Sequence, residues 1–206
     1  MPTRGAHPLV LVDAGANIDC EPRMLGQFAA MGSVYSRVIL GRENPVVGLL
    51  SIGGEDIKGN EITKETFSLL QGSPLNFRGN VEGHDLFEGK TDVAVTDGFV
   101  GNIVLKTSES TGLALGHWLK EEFKKNWIRL MGCMLLRGAL LALKSRMDPE
   151  SYGGAPLLGV NGVCIITHGS SSHRAIYHAI RVAGESVHHH LNQEIAAQIA
   201  ALDTSL

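Results

Sequence analysis

The motif DGFVGN, four residues before a lysine, combines residue types that can bind an anion. Gly98 and Gly101 carry no side chain, so a ligand can approach their backbone closely. A helix predicted to begin near Asn102 offers unpaired N–H groups and the positive end of its dipole. Lys106 lies one helical turn further on and can reach over the same face, while Asp97 can orient a donor or a lysine. The motif predicts an anion site, with ordinary turn and capping chemistry as the alternative.

Three other loops of similar character follow apolar runs. Their candidate binding residues are Asn17 in DAGAN, Lys58, Gly59 and Asn60 in EDIKGNE, and His168, Gly169, Ser170 and Ser171 in THGSSS. Each loop alone is also explained as a glycine turn or a capped helix. All four follow predicted strands, so we expect them on one edge of one sheet. Four such loops together favour a shared ligand site.

The elements that must position these loops alternate between strand and helix. Strands are predicted at 8–12, 46–52, 76–81, 92–96 and 162–167, and helices at 22–41, 60–72, 102–125 and from the serine-rich loop to about residue 202. Continuous apolar strands that alternate with helices predict an α/β fold, a mostly parallel sheet with helices on both faces. Ligands of such sheets bind beyond the carboxyl ends of the strands.

Composition and missing motifs exclude several classes of protein. A net charge of −3 and 5% aromatic residues give no reason to expect nucleic-acid binding. Three widely spaced cysteines predict neither disulfides nor a zinc site, which fits a reducing cytoplasm. We expect no signal peptide, because the apolar run before Asp13 is only four residues long, and no uninterrupted apolar run reaches ~18 residues. GxGxxG, P-loop, GxSxG and HExxH motifs are absent, so we expect no nucleotide cofactor and no metal. The His188–His190 triplet is predicted to be solvated surface, with a metal site as the minor alternative.

The segment 124–147 differs from the rest because it carries six basic residues and no acid around a strongly apolar helical pattern. Such a segment is typical of a surface that binds a membrane or a partner. The alternative is a dimer-interface helix or hairpin, and the two are compatible. The residues predicted to form this membrane or dimer contact are Trp127, Leu130, Met131, Met134, Leu135 and Arg137.

The chain resembles the PlsX family of phosphate acyltransferases over nearly its whole length from about Pro8. The motifs KGNE, DGFVGN and HGSS, in that order, carry the resemblance. It implies a fold related to phosphotransacetylases and isocitrate-type dehydrogenases, and transfer of a fatty acyl group from acyl carrier protein to inorganic phosphate for phospholipid synthesis. It further implies a cytoplasmic homodimer, peripheral membrane attachment and contact with the downstream glycerol-3-phosphate acyltransferase. The site residues that it implies are Lys58, Asn60, Asp97, Asn102, Lys106 and His168.

The resemblance also implies roles and boundaries. Residues 1–206 are expected to be the C-terminal part of a PlsX-like α/β domain with 124–147 as a protruding helical hook, lacking about a third or more of the family's length. Asn102, Lys106 and the amides near Gly101 would bind phosphate or the oxyanion, and His168 would orient or deprotonate phosphate. Lys58 and Asn60 would hold the thioester. Three alternatives stay open: a phosphate acetyl- or butyryltransferase acting on acyl-CoA, a dehydrogenase of the related fold, and an inactive membrane- or partner-binding module.

Overall fold

The computed structural model describes residues 1–5, 7–147 and 154–205. The first half of this part contains β1 (Val10–Val12), α1 (Pro22–Val38), β2 (Val47–Leu50), α2 (Glu61–Gln71), β3 (Phe77–Val81), a 3₁₀ turn (Asp85–Phe87) and β4 (Val93–Val95). The second half contains α3 (Gly98–Lys124), α4 (Trp127–Leu135), α5 (Arg137–Met147), β5 (Ala155–Pro156), β6 (Ile165–Ile166), α6 (His173–His188) and α7 (Leu191–Ser205).

Four strands form a parallel sheet in the order β1-β4-β2-β3. Val95 pairs with Val12 on one side and with Leu49 on the other, so β4 lies between β1 and β2. The three residues of β4 are completely buried, as expected for a central strand covered on both faces. The carboxyl ends of β1, β4 and β2 are therefore neighbours.

Helices cover both faces of this sheet, which confirms the predicted α/β class. On one face Phe28 of α1 and Phe67 of α2 pack in a core cluster with Val95. On the other face Leu9 and Ala94 form a second cluster, against which Val104 of α3 packs. The predicted starts of α1 and α2 are correct, because a proline occupies the first turn of α1 and Asn60 caps α2 through a bond from the Thr63 N–H.

Helix α3 begins earlier than the sequence predicts. Its N-cap is Asp97, whose carboxylate accepts a hydrogen bond from the Val100 N–H at 2.8 Å, and the helix starts at Gly98. The prediction of a start near Asn102 is therefore wrong by about one turn. Asn102 lies inside the helix as a half-buried side chain, and Lys106 lies one turn beyond it.

The predicted strand 162–167 is not part of the parallel sheet. Its central residues form β6, which pairs only with β5, antiparallel, in a separate two-stranded sheet. The run is apolar, but Val163 and Ile166 are 37% and 53% exposed. The loop THGSSS therefore follows a different sheet, and the expectation that all four loops share one edge is wrong.

The basic apolar segment forms the two short helices α4 and α5. No residue of α4 is buried, and Trp127, Met134 and Leu135 are 74%, 62% and 85% exposed. Its positive charge is partly balanced from outside the segment, since Glu121 and Glu122 at the end of α3 pair with Lys124, Lys125 and Arg129. No helix in the described part of the chain is long and apolar enough to cross a membrane.

Candidate active site

Three loops meet at the carboxyl edge of the parallel sheet. Residues 13–17 follow β1, residues 96–97 lead from β4 into α3, and residues 51–60 follow β2. Because neighbouring parallel strands are about 4.8 Å apart, loops that leave them at the same edge are adjacent. This edge brings together most of the residues that the sequence singles out.

The loop 13–17 is organised by the buried carboxylate of Asp13. Its Oδ1 accepts hydrogen bonds from the Gly15 and Ala16 N–H groups at 2.8 and 2.9 Å. Its Oδ2 accepts bonds from the Asn17 N–H and from Asn17 Nδ2 at 2.7 and 2.9 Å. Burial alone raises the pKa of Asp13, but the bonds from Ala16, Asn17 and Gly15 together outweigh it and lower the pKa below the usual value.

The same loop packs directly against the first turn of α3. The Gly98 N–H donates to the Asn17 carbonyl at 2.7 Å. A Cβ added at Gly101 would lie 1.8 Å from the carbonyl oxygen of Asp13, and one added at Gly98 would lie 2.7 Å from the Asn17 oxygen. Both glycines are therefore required by contact between two pieces of backbone, and their predicted role of admitting a ligand to the backbone is not needed to explain them.

The anion site predicted at the amides of this helix start is largely occupied by protein. The N–H groups of Gly98, Val100 and Gly101 donate to the Asn17 carbonyl, the Asp97 carboxylate and the Asp97 carbonyl. Asp97 is thus a capping residue. Besides the Phe99 N–H, which has no partner among the described residues, two side chains remain for a ligand. They are Asn102, whose Cβ lies 3.5 Å from the Cβ position of Gly15, and the exposed Lys106.

The third loop presents Lys58 and Asn60. Asn60 Oδ1 accepts bonds from the N–H and the hydroxyl of Thr63, both at 2.8 Å, so this oxygen is used to start α2 and its Nδ2 is the group able to donate to a ligand. Gly59 adopts a φ of 105°, a conformation that favours glycine. Lys58 is exposed, and its side-chain stem packs over Gly53.

Comparison with known proteins identifies the family. The family model described as "Fatty acid synthesis protein" matches residues 1–194. The chain belongs to this family. It is 52% identical over 94% of its length to a phosphate acyltransferase of Pelotomaculum thermopropionicum, and 50% and 49% identical over 94% to those of Acidobacterium capsulatum and Aquifex aeolicus. The chain spans 57%, 58% and 57% of these three relatives, somewhat more than half their length.

The loop that contains His168 is stabilised by hydrogen bonds between its own residues. The imidazole Nδ1 lies 2.6 Å from Ser170 Oγ, and the His168 N–H donates to Ser171 Oγ at 3.1 Å. Ser172, the next residue, caps α6. The serines therefore shape the turn after β6, and His168 follows a strand of the separate two-stranded sheet.

One group of potential metal ligands occurs among the described residues of this chain. Ligand atoms of His84, Asp85 and Glu88 lie within 4.8 Å of one another. Glu88 already pairs with Lys90 at 2.6 Å, and Asp85 accepts a bond from the Glu82 N–H. The group is thus engaged in closing the turn before β4. The histidines at 188–190 are exposed, as predicted for a solvated surface.

Sequence reasoning missed Asp13 and Asn80 as residues that build this edge. The signal for Asp13 is present, because an aspartate followed by small residues and Asn is typical of a turn closed by the carboxylate. Asn80 gives no such signal, since the backbone carbonyl that it contacts is 25 residues away in the chain.

Proposed function

We propose that this chain carries the phosphate-binding side of a phosphate acyltransferase site. The reaction transfers a fatty acyl group from acyl carrier protein to inorganic phosphate and yields an acyl phosphate for phospholipid synthesis. The observation that carries the proposal is the position of Asn102 on α3 against the Asp13 loop, with Lys106 one turn further along the same helix. The loop of Lys58 follows β2, the strand that pairs with β4. The identity of the relatives as phosphate acyltransferases supports it.

The chemistry requires orientation and charge more than a nucleophilic side chain. An oxygen of hydrogen phosphate attacks the thioester carbonyl, a C–O bond forms, and the C–S bond breaks. The thiolate takes up the proton that the phosphate carried, so the products are an acyl phosphate and a free thiol. A thiolate leaves readily, and the enzyme's contribution is to hold two reactants together and to stabilise the oxyanion.

The side chains at the edge suit these tasks. Lys106 supplies the positive charge and Asn102 an amide donor for phosphate, because three of the first four N–H groups of α3 are already engaged. Lys58 and the Nδ2 group of Asn60 would hold the carbonyl of the thioester. Orientation or deprotonation of phosphate by His168 stays a prediction that this edge does not support, because its loop follows the separate strand β6.

Removal of the Lys106 ammonium tests the proposal. We expect Lys106→Ala to lower kcat/KM for acyl-phosphate formation from palmitoyl-acyl carrier protein roughly 10- to 100-fold, because a charge-assisted bond to phosphate is lost. Lys120→Ala is the matched control, an exposed lysine on the same helix about 21 Å further along, and it should change the rate less than about twofold. Equal effects of the two variants, or none for Lys106→Ala, would contradict the assignment.

The choice of acyl donor separates this proposal from its nearest alternative. A phosphate acetyl- or butyryltransferase would use the same phosphate side but take a short acyl group from coenzyme A. In the same assay, turnover of acetyl- or butyryl-CoA in place of palmitoyl-acyl carrier protein would favour that second function.

We also propose that α4 places the protein at the cytoplasmic membrane surface, where a homodimer would meet the downstream glycerol-3-phosphate acyltransferase. The exposed apolar side chains of α4 support this surface role. We expect Leu135→Glu to lower the fraction that floats with anionic phospholipid vesicles about tenfold, because a leucine contributes roughly 1.5–3 kcal/mol when buried in an apolar phase.

The exposed Leu113 of α3 provides the control for this surface. Leu113 and Leu135 are 76% and 85% exposed, so Leu113→Glu makes the same change outside the apolar segment and should leave flotation unchanged. If Leu135→Glu leaves flotation intact but converts a dimer to a monomer in gel filtration, α4 serves the dimer interface instead.

A further inference from the structure

Asn80 is a buried amide within the sheet whose side chain reaches into the loop of Lys58. The residue lies in β3 and is 7% exposed. Its Nδ2 group donates a hydrogen bond of 2.8 Å to the carbonyl oxygen of Glu55, which is 25 residues earlier in the chain. The bond therefore joins the central sheet to the middle of the loop 51–60.

The same carbonyl oxygen closes the turn that ends at Lys58. The backbone N–H of Lys58 donates to the Glu55 oxygen at 3.0 Å, so that one oxygen accepts both the Lys58 N–H and the Asn80 amide. The turn is compact, because a Cβ added at Gly53 would lie 2.9 Å from Lys58 Cγ. The turn 55–58 thus positions the backbone and the side-chain stem of Lys58. Asn80 stabilises this turn through its hydrogen bond to the Glu55 carbonyl oxygen.

Little else restrains the middle of this loop. Its start is fixed by the Ser51 N–H bonded to the Val81 carbonyl at 2.9 Å, and its end is fixed where Asn60 caps α2. Between these ends Gly53 is buried, but its near contacts are Glu55 and Lys58 of the same loop. Ile52 and Ile57 are 83% and 77% exposed, so no apolar side chain anchors the loop in the core. Across the described residues, no other side chain from outside the loop is hydrogen bonded to residues 52–58.

Burial of the Asn80 side chain costs free energy of folding, so its presence at this position is not explained by stability. Asn80 Oδ1 is buried and has no protein hydrogen-bond partner in the described ranges. An unpaired buried acceptor destabilises a fold, and residues that do so are expected where a site has to be held in place.

We propose that Asn80 is the positioning residue for Lys58, acting through the carbonyl of Glu55. Its effect on the loop is a property of the fold, whereas its effect on catalysis rests on the proposed function, in which Lys58 holds the thioester. Asn80 itself does not contact the reactants in this proposal. The Asn80 amide fixes the position of the Lys58 backbone and limits the movement of the turn 55–58.

Hydrogen exchange of the whole chain tests the positioning role without any assay of activity. We expect Asn80→Ala to lower the protection factor of the Lys58 amide about tenfold, because the turn loses its buried tether. Asn76→Ala is the matched control: Asn76 Nδ2 donates to the Asn44 carbonyl at 3.2 Å at the opposite end of β3. Unchanged protection in Asn80→Ala, or an equal loss in Asn76→Ala, overturns the proposal.

A pH series on Asn80→Asp gives a second and independent test. The protonated carboxyl can donate its O–H to the Glu55 carbonyl, whereas the carboxylate cannot donate and repels that oxygen. Burial raises the pKa of such a carboxyl, so Lys58 protection in this variant should recover as the pH falls from 7.5 to about 5. A protection factor that does not depend on pH overturns the proposal, and this series decides the question if Asn80→Ala does not fold.

Kinetics separates the inference from the proposed function. If the chain forms acyl phosphate, Asn80→Ala should raise KM for the acyl thioester about tenfold with a much smaller change in kcat. A purely structural role would instead lower the active fraction and reduce kcat alone. A wild-type chain without acyl-phosphate formation overturns the proposed function, while the exchange results still decide whether Asn80 positions the Lys58 turn.

Discussion

Gly101→Ala is expected to destabilise the protein by about 3 kcal/mol or more and to abolish acyl-phosphate formation. The added methyl group would lie 1.8 Å from the carbonyl oxygen of Asp13. Because that oxygen belongs to the backbone, no side chain can rotate to relieve the overlap, and either the loop after β1 or the start of α3 has to move. Asn102 belongs to α3 and lies against Gly15 of the loop, so either movement would change its position. Urea unfolding followed by circular dichroism gives the stability change.

The same helix offers a control in Gly116→Ala. Outside the neighbouring residues and backbone of its own helix, no described atom lies within 4 Å of the Cβ position of Gly116, which is in the interior of α3. Alanine is favoured over glycine there, so this variant should gain about 0.5–1 kcal/mol and retain its activity. Two variants with the same urea midpoint would show that contact with the Asp13 loop does not require a glycine at 101.

The sheet and its helices follow from signals that are local in the sequence. Apolar runs such as DVAVT mark strands covered on both faces, and Pro22 and Asn60 mark helix starts by known capping chemistry. Strand order has no such local signal. The insertion of β4 between β1 and β2 depends on pairing between segments about 45 to 80 residues apart, as in the pairs Val47–Val93 and Val10–Val93.

The start of α3 was misplaced because its glycines have a tertiary cause. Gly98 and Gly101 in DGFVGN are typical of a loop, and Asn102 is a good capping residue, so the sequence favours a start at Asn102. The structure instead uses Asp97 as the cap and keeps both glycines in the first turn so that the loop 13–17 can approach. That contact joins residues more than 80 positions apart and is invisible to a local pattern.

The fourth loop was misplaced for a different reason. GVCIIT has the composition of a core strand, but composition does not specify the partner of a strand. In the structure it pairs with Ala155 and Pro156 over two residues, and Cys164 is exposed. The shared sheet edge of the loops after β1, β2 and β4 could thus be predicted from strand-end position, whereas the loop of His168 could not be placed by that rule.

Asp13→Asn is expected to lower the free energy of unfolding by about 3 kcal/mol at pH 7. The carboxylate accepts four hydrogen bonds, two at each oxygen. An amide of the same shape has one acceptor oxygen, so its NH₂ group would face two donors and leave them unpaired in a buried place, at roughly 1–3 kcal/mol each. Since the loop that Asp13 closes also packs against the first turn of α3 and against Asn102 in that helix, phosphate-dependent activity should fall with stability.

The pH dependence shows whether the charge of Asp13 is responsible. Its folded pKa is lowered, so the stability that it contributes is present above the unfolded pKa of about 3.9 and is lost as the pH falls through the folded value. The difference between wild type and Asp13→Asn should therefore be constant from pH 7 to about 5 and shrink below pH 4. The exposed Asp19 serves as control, because Asp19→Asn removes a carboxylate from the same region and should leave stability unchanged at every pH. A wild-type advantage that persists undiminished in acid would mean that Asp13 acts through its shape alone and that its charge does not organise the loop.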